Sequence, residues 1–106
     1  MESYTPAEKR ERNRLFRKGA RQALADCVDP RLEHRIQEID RSAAERGARE
    51  LQALHNVQEQ ARNDLARAKA TERTTPRAER AAAKQARKDV EKRVRLAERA
   101  VSRAES

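Results

Sequence analysis

The chain has 106 residues, 42% of them charged, and a formal net charge of +8. Leu, Ile, Val and Phe together number only 15, too few to fill an ordinary globular core, and no apolar run approaches the roughly 18 residues that a membrane span needs. Disorder or extended helix remain; because 66 residues are Ala, Glu, Lys, Leu or Arg and the apolar ones recur at helical spacing, long helices with narrow seams are expected.

Helix 1 is expected over about residues 6–27. Thr5-Pro6-Ala7-Glu8 supplies an N-cap, a proline whose missing N–H costs nothing at a helix start, and a glutamate placed to close a capping box. Its buried face should be Phe16, Ala20, Ala23, Leu24 and Cys27. Gly19, between Lys18 and Ala20, costs about 1 kcal/mol relative to alanine.

Helix 2 is expected over about 30–72, opened by Asp29-Pro30. Its seam runs through Leu32, Ile36, Ile39, Ala43, Gly47, Leu51, Leu54, Ala61, Leu65 and Ala68, with Val57 at the margin. Steps of three and four alternate irregularly, closer to an 11-residue repeat than to a heptad, so supercoiling should be weak. Gly47 is the one internal glycine on a seam, and marks a close approach or a kink.

Helix 3 is expected over about 76–104, with Thr75-Pro76 repeating the cap-proline arrangement. Its seam is Ala83, Ala86, Val90, Val94, Ala97, Val101 and Ala104. Both connections are short, so helices 1 and 3 should each fold back on helix 2, with their free ends meeting beside residues 47–55. The predicted fold is all-α: a single helical domain over 1–106 forming an elongated, coiled-coil-like antiparallel hairpin, its long central helix flanked by a shorter N-terminal helix and a C-terminal helix.

Charge is unevenly placed. Residues 1–28 carry seven bases and four acids, residues 29–73 nine of each, and residues 74–106 ten bases and five acids. Arginine outnumbers lysine 20 to 6 and alanine also reaches 20, as the codons of a GC-rich bacterial genome would favour; codon bias does not dictate where the excess falls. On helix 3, Arg77, Arg80, Lys84, Lys88, Lys92, Arg95, Arg99 and Arg103 fall within one arc of roughly 140°, nearly opposite the valine seam, and form a rail about 39 Å long. Helix 1 has a smaller arc of Arg10, Arg14, Arg17, Lys18 and Arg21. Such a surface can neutralise phosphates without reading bases. Zinc spacing, helix-turn-helix patterning, RNP motifs and stacking aromatics do not accompany it, so the polyanion it fits is a nucleic-acid backbone bound nonspecifically, or an acidic protein surface.

The seams are thin for a stable monomer, and Tyr4, Leu15 and Leu96 lie off them. These three are candidate contacts for homodimerisation or for a protein partner. Association as an adaptor, assembly factor or regulator is the primary functional expectation, and nonspecific nucleic-acid binding the alternative.

Chemistry is sparse. His34 and Glu38 stand at i,i+4 but no third metal ligand converges, and His55 lies too far from His34 to share an ion. Cys27, the only cysteine, is expected to be a small buried apolar residue at the helix 1–2 turn; one cysteine forms no internal disulfide and fits a reducing compartment. Phosphate loops, nucleophile elbows and paired-carboxylate pockets are missing, as is a signal-peptide pattern at residue 1. The expectation is a soluble cytoplasmic protein, not an enzyme, with no cofactor, metal, membrane or small-molecule substrate.

Overall fold

Three prolines stand near the helix starts, and the chemistry at each differs. In a computed structural model describing residues 1–106, α1 spans Pro6–Leu24, α2 Pro30–Thr74 and α3 Arg80–Glu105. At Pro6 the capping box is complete: Thr5 Oγ1 accepts from the Glu8 amide at 3.1 Å, and Glu8 Oε1 accepts from the Thr5 amide at 2.9 Å. At Pro30, Asp29 Oδ1 accepts from the Arg31 amide at 2.9 Å, and Gln22 Oε1 accepts from the Asp29 amide at 2.8 Å, tying the end of α1 to the start of α2. These contacts satisfy amides that a helix N-terminus leaves unpaired.

Pro76 behaves otherwise. The Thr74 and Thr75 hydroxyls donate back to carbonyls in the last turn of α2, including that of Thr71. Thr75 therefore closes α2 instead of capping α3. Pro76 is extended, Arg77–Glu79 make one 3₁₀ turn, and α3 begins at Arg80 with no side-chain cap. Helix 1 is also shorter than expected. Asp26 sits at φ 52°, while the Asp26 amide donates to Ala23 O and the Cys27 amide to Gln22 O. This is a Schellman stop with aspartate at the left-handed position.

The chain divides into two compact units, Met1–Arg49 and Glu50–Ser106, each an antiparallel helix pair with its own core. The all-α hairpin architecture read from the sequence is the one observed.

In the first unit the core is Leu15, Leu32 and Ile39, with Tyr4 and Ile36 packed against it. The expected seam of α1 requires correction. Leu15 is buried at 7% exposure, whereas Phe16 is 47% and Leu24 91% exposed, and Cys27 is exposed as well. The inward face of α1 instead follows Glu8, Glu11, Arg12, Leu15, Gly19 and Gln22, and most of it is polar. It pairs with α2 through Glu8–Arg46 at 2.7 Å, Arg12–Asp40 at 2.6 Å and Glu11–Arg35 at 2.8 Å. Burial of a face this polar is sustained because each charge meets its opposite. Gly47 does mark a close approach. Residues Met1–Ser3 cross α2 there, the Ser3 amide donates to Ala43 O at 2.9 Å, and a Cβ built on Gly47 would lie 1.9 Å from Met1 O.

In the second unit Ala61 of α2 and Val90, Val94, Ala97 and Val101 of α3 are buried, and Leu51, Leu54 and Leu65 are half-buried. The antiparallel register shows in the cross-helix pairs: Glu72 with Arg87, Asp64 with Arg93, Arg62 with Glu98 and His55 with Glu105. Each step back along α2 matches a step forward along α3. Ala86, expected in the seam, is exposed, and Arg87 takes the inward place beside it.

Candidate polyanion-binding face

All eight residues of the expected rail are exposed: Arg80, Lys84, Lys88, Lys92, Arg95, Arg99 and Arg103 lie on α3, whereas Arg77 falls in the 3₁₀ turn before it. None forms an ion pair, although the two remaining bases of that helix do. Arg87 bridges Glu72 and Glu91, and Arg93 reaches Asp64 at 3.6 Å. The difference follows from position. Arg87 and Arg93 flank the buried seam and lean across to the acids of α2, while the rail residues lie on the side away from the seam and make no ion pair.

The acids that border the rail are engaged elsewhere. Glu91 accepts from Arg87 at 2.6 Å, Glu98 from Arg62 at 3.3 Å, and Asp89 from Gln85 at 2.9 Å. Glu105, at the end of the helix, contacts His55 at 2.7 Å. Two of the four acids of the helix, Glu98 and Glu105, thus reach across to α2, Glu91 and Asp89 bond to Arg87 and Gln85 of α3 itself, and the rail bases face solvent without an ion pair. Like charges at i,i+4 on an exposed helix face repel mildly.

The same division operates on α1. Arg10, Arg14, Arg17, Lys18 and Arg21 are exposed and without ion pairs, while Glu8 and Glu11 turn inward. Hydrogen bonding from Arg46, reinforced by the Thr5 amide, holds Glu8 down at about 2. Arg35 likewise lowers Glu11, and Arg12, helped by Tyr4, lowers Asp40. The Asp40 carboxylate in turn pushes the Tyr4 hydroxyl up to about 12. These acids remain ionised near neutral pH and form their ion pairs with Arg46, Arg35 and Arg12, although Arg14 of the outward arc also acts on Glu11.

The three candidate partner contacts separate. Leu15 is enclosed in the core of its own unit, and Tyr4 packs on that core while donating to Asp40 at 2.7 Å. Neither offers a free apolar surface. Leu96 is 60% exposed, and with Val57, 59% exposed, it lines an open groove floored by Ala61, Ala97 and Ala100. A second apolar groove, in the first unit, is lined by Phe16, Ala20, Ala23, Val28 and Ile36. Sequence reasoning missed it as a surface because it placed Phe16 and its neighbours inside. The available signal was the alternation of Glu8, Glu11 and Arg12 with complementary charges on α2. Arg12 also stacks over the Phe16 ring, 4.6 Å from its centre, which anchors that aromatic at the surface.

No three His, Cys, Asp or Glu side chains group as metal ligands, and His34 pairs with Glu38 at 3.0 Å. No helix is long and apolar enough to cross a membrane. Compared with protein-family models, curated proteins and solved structures, the chain matches none.

Proposed function

We propose that this chain is a non-catalytic helical binding protein whose α3 face holds a nucleic-acid backbone without reading its sequence. One observation carries the reading: seven bases line one face of α3 and Arg77 stands in the 3₁₀ turn before it, all eight without ion pairs, while the neighbouring acids Glu91 and Glu98 are turned to Arg87 and Arg62. Contacts of this kind gain affinity by releasing counterions and carry no base discrimination. The place of action we assign is the cytoplasm, where an exposed lone thiol such as Cys27 stays reduced.

The test is fluorescence anisotropy with a labelled 30-base-pair duplex at about 50 and 200 mM salt, a range over which phosphate-dominated binding weakens steeply. A variant carrying Lys88→Gln, Lys92→Gln, Arg95→Gln and Arg99→Gln should lose at least tenfold in affinity with its helicity intact. A matched control changes Arg41, Arg49, Lys69 and Arg73 of α2 to Gln, removing equal charge from exposed positions that also lack ion pairs. Equal losses in both variants would reduce the effect to net charge and remove the rail as a site.

A second reading rests on the Val57–Leu96 groove. Two large apolar side chains exposed side by side are what a partner helix or a second copy of the chain would cover. Sedimentation equilibrium with the Leu96→Lys variant reads this directly. If the parent chain is monomeric at micromolar concentration, self-association is excluded.

A further inference from the structure

The rail is a band, not a line, and its width selects its ligand. Successive i,i+4 members advance about 6 Å along the helix and drift about 40° around it. Arg80, Lys84, Lys88 and Lys92 therefore form one diagonal row, and Arg95, Arg99 and Arg103 a second. Arg80 and Lys84 end at one edge of the band, Lys92 and Arg103 at the other. A helix with its side chains is about 10–12 Å across, comparable to the roughly 12 Å that separates the phosphate rows bordering the major groove of a B-form duplex.

We infer that the α3 rail binds double-helical nucleic acid in preference to single strands. This rests on the reading of the rail as a phosphate-binding face. A duplex presents two phosphate rows, one for each edge of the band; a single strand presents one and leaves an edge unused. The duplex also carries one charge per about 1.7 Å of axis and is stiff over about 150 base pairs, so it lies along a straight helix with little ordering cost. A single strand needs compensation for being straightened, and the usual source is stacking on aromatic side chains. The unit that carries the rail has no Phe, Tyr or Trp. The only two aromatics of that kind in the chain are Tyr4 and Phe16, of which Tyr4 is bound to Asp40 and Phe16 lies under Arg12. His55, the one imidazole of that unit, is engaged with Glu105.

The experiment compares a 30-base-pair DNA duplex, a 30-base-pair RNA duplex and an unstructured 30-nucleotide oligothymidine, each labelled, across a salt series with the full chain. The expected result is about tenfold or tighter binding of at least one duplex over the single strand, with a steeper salt dependence bounded near −7 by the eight bases. The stronger of the two duplexes identifies the source. Changing either edge alone, as Arg80→Gln with Lys84→Gln or Lys92→Gln with Arg103→Gln, should weaken duplex binding severalfold and leave single-strand binding less affected. Equal or tighter binding of the single strand overturns the inference but leaves the rail a phosphate-binding face. Binding to none of the three at about 50 mM salt overturns both.

Discussion

At the scale of single residues, the two glycines separate helix propensity from packing. Gly19 has open space where a Cβ would go, whereas Gly47 is crossed by the Met1 and Glu2 backbone. Gly19→Ala should therefore stabilise the first unit by about 1 kcal/mol, the ordinary difference in helix propensity. Gly47→Ala gains the same propensity but displaces residues 1–3, and the Ser3 amide should lose its protection from hydrogen exchange. Retained protection would show that the segment passes the added methyl by another route. Ionisation gives a second residue-level test. Glu8 is lowered from 4.5 to about 2, so its contribution to stability is complete above pH 4.5 and is lost as pH falls toward 2. Asp40 and Glu11 are lowered as well and add in the same direction. Tyr4, raised from 10.0 to about 12, acts at the other end: its contribution holds below pH 10 and is lost as pH climbs toward 12. Tyr4 is the only tyrosine and the chain has no tryptophan, so its ultraviolet absorbance reads that titration alone. Asp40→Asn should bring the midpoint back toward 10, and an unchanged midpoint would assign the shift to something other than that carboxylate.

At the scale of elements, the breaks in the chain were legible and the rotation of one helix was not. Pro6 and Pro30 with Thr5 and Asp29 set two helix starts from local chemistry alone. Thr75-Pro76 looked the same in sequence, but the Thr75 hydroxyl bonds backward to Thr71, a choice decided by geometry across the turn. On α2 and α3 the buried positions are aliphatic, so the apolar pattern located most of them. On α1 that pattern misled. Leu15 and Phe16 are adjacent, about 100° apart on the wheel, and the apolar majority lies with Phe16. Glu8, Glu11 and Arg12 decided the rotation by matching charges on α2, a tertiary cause invisible to hydrophobic periodicity. The basic face was legible because it needed only spacing; that Glu98 turns to Arg62 of α2 and Glu91 to Arg87 required the fold. The end of α1 supplies a prediction of its own. Asp26 holds a left-handed conformation in which glycine carries no steric cost. Asp26→Gly should raise stability to chemical denaturation by about 0.5–1 kcal/mol, and Asp26→Val should lower it. A glycine variant less stable than the parent would mean that the Asp26 side chain contributes an interaction outweighing its backbone cost.

At the scale of the whole molecule, stability and the arrangement of charge pull apart. A chain of +8 with few aliphatic side chains to bury would be served by alternating acids and bases on every exposed face. Instead the rail sets like charges at i,i+4 along most of α3, which disfavours the helix, and the acids near it are committed to Arg87 and Arg62. Selection for folding alone gives no reason for that placement, whereas the proposed role of holding a nucleic-acid backbone would. The two demands are separable by experiment. Replacing Lys88, Lys92, Arg95 and Arg99 with Gln keeps helix propensity nearly constant, breaks no ion pair, and relieves the repulsion. The thermal midpoint should rise by a few degrees at low ionic strength. The gain should shrink as salt screens the parent rail over a Debye length of about 10 Å at 0.1 M, while the proposed duplex binding should be lost in the same variant. A midpoint that falls instead would mean that these four side chains support the fold through contacts of their own, and the rail would then be a structural face.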